Sequence, residues 1–303
     1  MAIRTTVAAL LALIALAGCN MLRLGYGQID VYAAWQADSY FGLDQAQRQE
    51  FNKRFGRLHE WHRHNQLPEY AAFLAATKER IHRGPTNDDV RWVTEGVMSR
   101  YRVLARHSAD DMAAMLMTVT PAQIETLKQR WEKDNRRFAA DYRLKEGVEE
   151  QRRATARRAL ERIRDWTGTL SAEQEEKITA LASELPMNQR LRQEDRMRRQ
   201  REFLQLMAQR DDPRQFAERV RNFMTGWEQG RNPEYQRLWE QWARKQAEFY
   251  VAVYRMLTPQ QRAEVERRIQ NYIDDFTRLA QRPAGATPAG AHQPGCCGDM
   301  KSK

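Results

Sequence analysis

Three histidines stand within six residues, His59, His62 and His64, and each could hold a metal or move a proton. On a helix His59 and His62 lie three apart, so both can reach one ion. The spacing falls one short of the His-Glu-x-x-His arrangement by which a helix presents zinc ligands: Arg63 stands where the second histidine belongs. No later third ligand is evident. His62 also falls on the side of Phe55, Leu58 and Trp61, where a hydrogen-bonded core histidine is expected. His82 and His107 are isolated. A second set, Cys296-Cys297 with His292 and Asp299, could hold a soft metal or close a vicinal disulfide. It lies in a Pro-, Gly- and Ala-rich stretch that reads as tail. A third set is Arg190 to Arg201, six arginines with Glu194 and Asp195 among them. It reads as a solvated face or, against an apolar groove, as a cationic ridge for acidic clients. No Gly-rich phosphate loop, nucleophile elbow or serine triad is visible. The sequence therefore offers no catalytic residue, cofactor site or metal site, and the expectation is a protein that is not an enzyme.

The elements that must position these groups are helices. Apolar residues recur at three- and four-residue steps, and strand-like alternation is absent. Ile124, Leu127, Trp131, Phe138 and Tyr142 make one stripe; Val265, Ile269, Tyr272, Phe276 and Leu279 make another. Asp44, Thr120, Ser171 and Thr258 are each followed three residues later by glutamine, namely Gln47, Gln123, Gln174 and Gln261. That is the capping box, in which the first side chain accepts from the N3 amide and the glutamine reaches back. Asp212 and Gln215 around Pro213 make a fifth. Pro121 and Pro259 sit at the first helical position, where no amide partner is needed. The expected fold is an all-α multi-helix bundle. The order of boxes, with Leu67-Pro68 and Leu185-Pro186 as further landmarks, suggests two duplicated halves, 44–145 and 146–282. Thr120 to Phe138 aligns without a gap on Thr258 to Phe276. Convergence of capped amphipathic helices on one grammar is the competing account.

Of the 303 residues, Arg4 opens a charged start, and Thr5 to Leu16 form an uncharged apolar run too short to span a bilayer. Leu16-Ala17-Gly18-Cys19 follows and resembles the lipobox of bacterial lipoproteins. The resemblance implies a signal peptide over 1–18, cleavage before Cys19 and acylation of its thiol, palmitate included. Each buried methylene adds about 0.8 kcal/mol, so two or more chains anchor stably. Asn20, rather than Asp, follows the cysteine, which by the same likeness implies transfer to the outer membrane, facing the periplasm. Cleavage leaves 285 residues and removes Arg4, taking the formal net charge from +10 to +9. In that compartment a basic chain meets lipid headgroups or acidic protein segments rather than nucleic acid. No cysteine lies between Cys19 and Cys296, so the body has no disulfide. The segment 19–43 carries Ile29, Tyr32, Trp35 and Tyr40, too apolar for a free linker, and is expected to pack on the body. Residues 283–303 read as a disordered tail.

Leu24-Gly25-Tyr26, Trp35, Leu43-Asp44, Gln47-Arg48, Trp61-His62-Arg63 and Leu67-Pro68-Glu69-Tyr70 resemble an uncharacterised family of proteobacterial helical lipoproteins. That family carries no activity across. Leu257-Thr258-Pro259-Gln260-Gln261 and Val119-Thr120-Pro121-Ala122-Gln123 are similar to the LTxxQ signature of periplasmic stress chaperones, which implies a cradle for unfolded clients. The first stretch departs by Val119, and Leu170-Ser171-Ala172-Glu173-Gln174 departs by Ser171. The reading is thus an outer-membrane lipoprotein, anchored through Cys19, that binds proteins without catalysis, in its sharpest form as a chaperone-like or envelope-stress protein. The alternative is a structural subunit of an envelope complex.

Overall fold

The four glutamine boxes all start helices, and they do so in pairs. The structure is a computed structural model that describes residues 22–281; Cys19 and residues 1–18 before it, and His292, Cys296, Cys297 and Asp299, lie outside the described residues. Within them the chain is all-α. The order is α1 (Ile29–Phe41), α2 (Gln45–Trp61), a π-helical turn (His62–Gln66), α3 (Leu67–His82), α4 (Asn87–Met117) and α5 (Pro121–Asp141). Then come α6 (Val148–Thr167), α7 (Ala172–Ser183), α8 (Gln189–Met207), α9 (Pro213–Thr225), α10 (Pro233–Met256) and α11 (Pro259–Ala280). Asp44, Thr120, Ser171 and Thr258 are the N-caps of α2, α5, α7 and α11, each with both arms of the box formed. Thr86 caps α4 through a box whose reaching residue is Asp89, and Asp212 caps α9.

In the first pair, Gln47 Nε2 donates to Gln123 Oε1 at 3.0 Å and Gln123 Nε2 donates to Gln47 Oε1 at 2.6 Å. The second proton of each amide goes to a carbonyl two residues before the partner's cap: Gln47 to Thr118 O and Gln123 to Gly42 O. Gln174 and Gln261 repeat the arrangement, 2.8 and 2.9 Å to one another, with Met256 O and Thr169 O as the outer acceptors. A side-chain amide has two donors and two acceptor positions, and each glutamine here uses all four. The residue before each cap, Leu43, Val119, Leu170 or Leu257, is buried. We call the two arrangements clasps.

Leu67-Pro68, a landmark in the sequence, does not end a helix. Proline lacks an amide proton and crowds the carbonyl four residues back. Immediately before it the ladder widens: the Leu67 amide bonds to His62 O, five residues back. A single π turn of this kind carries a helix past such an insertion, so α2, the turn and α3 run on without a loop.

The contacts repeat between the halves. α1 lies on α2 and α5, as α6 lies on α7 and α11; α3 packs along α11, as α8 packs on α5; α2 touches α4, as α7 touches α10. One core cluster joins α6, α7 and α10 around Ile163, Ile178, Phe249 and Val253. The other joins α4, α8 and α9 around Leu116, Met207, Phe216 and Val220.

Candidate functional site

The segment that follows Cys19 is the first place where chemistry and location meet. Leu22 to Gly27 is helical, turns at Gln28 and leads into α1. Arg23 Nε lies 3.1 Å from Asp275 of α11. Burial holds the Asp275 carboxyl above the ordinary range, with Arg23 pulling the other way. Tyr26 Oη stands 2.9 Å from His62 Nδ1, and its ring lies 4.6 Å from that of His59. At the far end, Tyr40 Oη donates to Asp134 of α5 at 2.6 Å and Phe41 joins the second core cluster. The segment is therefore seated on the body at both ends.

Tyr26 thereby packs against the two histidines that spacing had put within reach of one ion. Burial lowers the His62 pKa to about 4, with His59 adding a little, and raises that of Tyr26 to about 12. Burial lowers His59 as well. His62 also meets Tyr70 edge-on at 5.3 Å. His64 turns elsewhere, towards Ala280 O and Glu60. His82 meets Glu266, and His107 stacks flat on Trp61. Among the described residues no three His, Cys, Asp or Glu side chains converge as a metal site. His59 and His62 thus form part of a half-buried aromatic seat with Tyr26 and Tyr70.

The arginine stretch is divided: Arg198 and Arg199 are tied to neighbouring groups, while Arg190, Arg192 and Arg201 face water. Arg198 pairs with Asp195 and Glu202 and donates to Gln229 O. Arg199 lies over the Phe223 ring at 3.7 Å and pairs with Glu202. Arg192 faces Phe138, and Arg196 lies 3.9 Å from Asp134. Arg190, Arg192 and Arg201 are exposed. Arg192, Arg196, Arg198 and Arg199 reach α5, α9 and the loop after α9. Arg231 does similar work, buried beside Trp227, Tyr235 and Trp239. Among the described residues, one open cleft of about 390 Å³ lies between Asn87 and Arg255 and another of about 280 Å³ lies beside Tyr142 and Arg158.

A model of a family of unknown function, DUF6279, matches residues 39–237. The chain belongs to DUF6279. The match begins in the last turn of α1, takes in the whole first clasp and the arginine-rich α8, and ends early in α10. It stops short of α11, and so of Gln261. No curated protein and no solved structure matches this DUF6279 chain. The glutamine pairs are what sequence reasoning missed. All four boxes use glutamine where glutamate would cap as well, and only an amide can also donate outward.

Proposed function

We propose that this DUF6279 protein is an exported lipoprotein, cut before Cys19, acylated there and held on the periplasmic face of the outer membrane as a non-enzymatic binding protein. The observation that carries the reading is the seating of Arg23 and Tyr26 on Asp275 and His62. A segment starting three residues after the lipobox cysteine belongs to the folded body, so the anchor would present the body itself, closely, at the membrane. No described helix is long and apolar enough to cross a membrane. Labelled palmitate should enter the protein in growing cells and be lost in Cys19→Ser; equal labelling of both would overturn the proposal.

The LTxxQ-like stretches are occupied by the clasps, which explain their residues structurally. The chaperone-like role therefore rests on the resemblance alone, and suppression of client aggregation by the full chain in detergent is its test. The second reading, a permanent subunit of an envelope complex, draws on Trp166 and Tyr272, two part-exposed rings 6.0 Å apart on α6 and α11. Crosslinked pull-down from membranes separates the two: a subunit returns one stoichiometric partner, a chaperone many. We infer as well that the body descends from a duplicated five-element unit. The paired clasps and the matching helix contacts support this, and a solved relative whose halves pair their helices differently would contradict it.

A further inference from the structure

Helix α1 has an outer side that the body does not use. Six large apolar side chains among the described residues expose more than half of their surface, and four of them fall between Leu24 and Trp35: Val31 at 62%, Leu24 at 60%, Trp35 at 59% and Tyr32 at 53%. The Tyr32 and Trp35 rings lie together, 5.8 Å apart. The opposite side of this segment is committed to the body through Arg23, Tyr26, Tyr40 and Phe41. These apolar groups cannot turn inward without releasing those contacts.

The other half shows what a water-facing helix at this place looks like. α1 rests on α2 and α5 as α6 rests on α7 and α11, and both end at a glycine with positive φ, Gly42 and Gly168. Counted back from those glycines, Val31, Tyr32 and Trp35 fall opposite Arg157, Arg158 and Glu161. α6 thus carries charges where α1 carries two aromatics and a valine. Water accounts for Arg157 and Glu161, and the Tyr142 ring and Asp141 O engage Arg158; water does not account for the second set.

We propose that the outer side of α1 lies in the interfacial layer of a phospholipid surface, with Tyr32 and Trp35 at headgroup level and Val31 and Leu24 beside them. Tyr and Trp favour that layer because each combines an apolar ring with a polar atom. The place in the chain fits. Leu24 lies five residues after Cys19, at most about 18 Å of extended chain, so acyl groups there and the α1 side chains reach one surface. The proposal rests on the membrane location above for its setting, but the α1 surface is an observation of its own. The attraction is apolar rather than electrostatic: the charges of α1 are Asp30 and Asp38, and Asp38 is paired with Arg48 at 2.8 Å. It therefore does not require anionic lipid.

The test uses the full chain in growing bacteria, with a photo-crosslinking amino acid placed in turn at positions 31, 35 and, as the water-facing control, 161. Phospholipid is labelled with radioactive phosphate. Illumination should give protein–lipid adducts from 31 and 35 and none from 161. Adducts from 35 with protein alone, or with neither lipid nor protein, would overturn the proposal, as would equal lipid adducts from 161. Palmitate labelling in the same cells reads the anchor separately. Palmitate on Cys19 without lipid adducts at 31 and 35 overturns the α1 contact and leaves the anchor. Lipid adducts without palmitate support the α1 contact and remove the anchor.

Discussion

The two halves of the body solve the same joints with different chemistry. Both clasps are glutamine pairs with identical hydrogen bonding, yet Gln47 and Gln123 are both buried, while in the second pair only Gln261 is. The Thr86 cap of α4 is completed by a carboxylate, Asp89, which Arg80 and Arg83 also hold. The corresponding Asp212 cap of α9 works with the neutral Gln215. At the first cap the first half uses a carboxylate, Asp44, where the second uses a hydroxyl, Ser171; at the next, each half has one carboxylate, Asp89 held by two arginines or Asp212 held by an amide. Geometry is shared, and sensitivity to pH is not.

The sharpest way to break this comparison is Gln123→Glu. The new carboxylate would be buried facing Gly42 O and Gln47 Oε1, with no proton to offer either. A loss of about 3 kcal/mol in urea unfolding at neutral pH is expected, given the cost of unsatisfied buried polar groups. Its folded pKa would be raised, so the penalty is small below the ordinary glutamate value and grows as pH rises through the folded one. Gln174→Glu, at the more exposed site, should lose distinctly less; equal losses would end the argument from burial.

Asp89→Asn comes next, at about 2 kcal/mol, since the buried carboxylate holds two guanidiniums and a cap. Burial alone would raise the Asp89 pKa, but bonds from Thr86, Arg80 and Arg83 outweigh it and lower the carboxyl well below the usual range. Its contribution is present above about pH 4, the unfolded value, and is lost as pH falls. Acid titration of wild type and Asp89→Asn should therefore converge below pH 4. Cap removal is smaller. Asp44→Ala and Ser171→Ala should each cost about 1 kcal/mol, read as a shift in thermal midpoint. Smallest at neutral pH is His62→Gln. Because the fold lowers the His62 pKa to about 4, the neutral ring is favoured. Stability should then decline as pH drops from about 6.5, the free value, and His62→Gln should flatten that decline.

The helices and their starts were legible because a capping box is local: Asp44 and Gln47 are three residues apart, and the cap forms within one turn. The partner of Gln47 is Gln123, on another helix, and no local rule points across that distance. The Thr86 box was overlooked because an aspartate fills the reaching position. Leu67-Pro68 stood out as a landmark, but the wider turn that admits the proline into a continuing helix has no composition of its own. The ties that some arginines of α8 make were out of reach of the sequence for a related reason. Phe138, Asp134 and Phe223, which engage them, come from α5 and α9, and their approach is a property of the packing.

The π turn also fixes rotational phase. One added residue turns everything after it by about 100° around the axis. α2 aims Gln47 at α5, and α3 lays a second row of side chains along α11 while its Phe73 ring lies against Trp92 and Arg100 of α4. Deleting one residue between His62 and Gln66 would restore a regular ladder and swing that second row off its groove. The irregular turn is thus what lets a single rod grip two different neighbours, much as an offset in a crankshaft sets the timing of two cylinders.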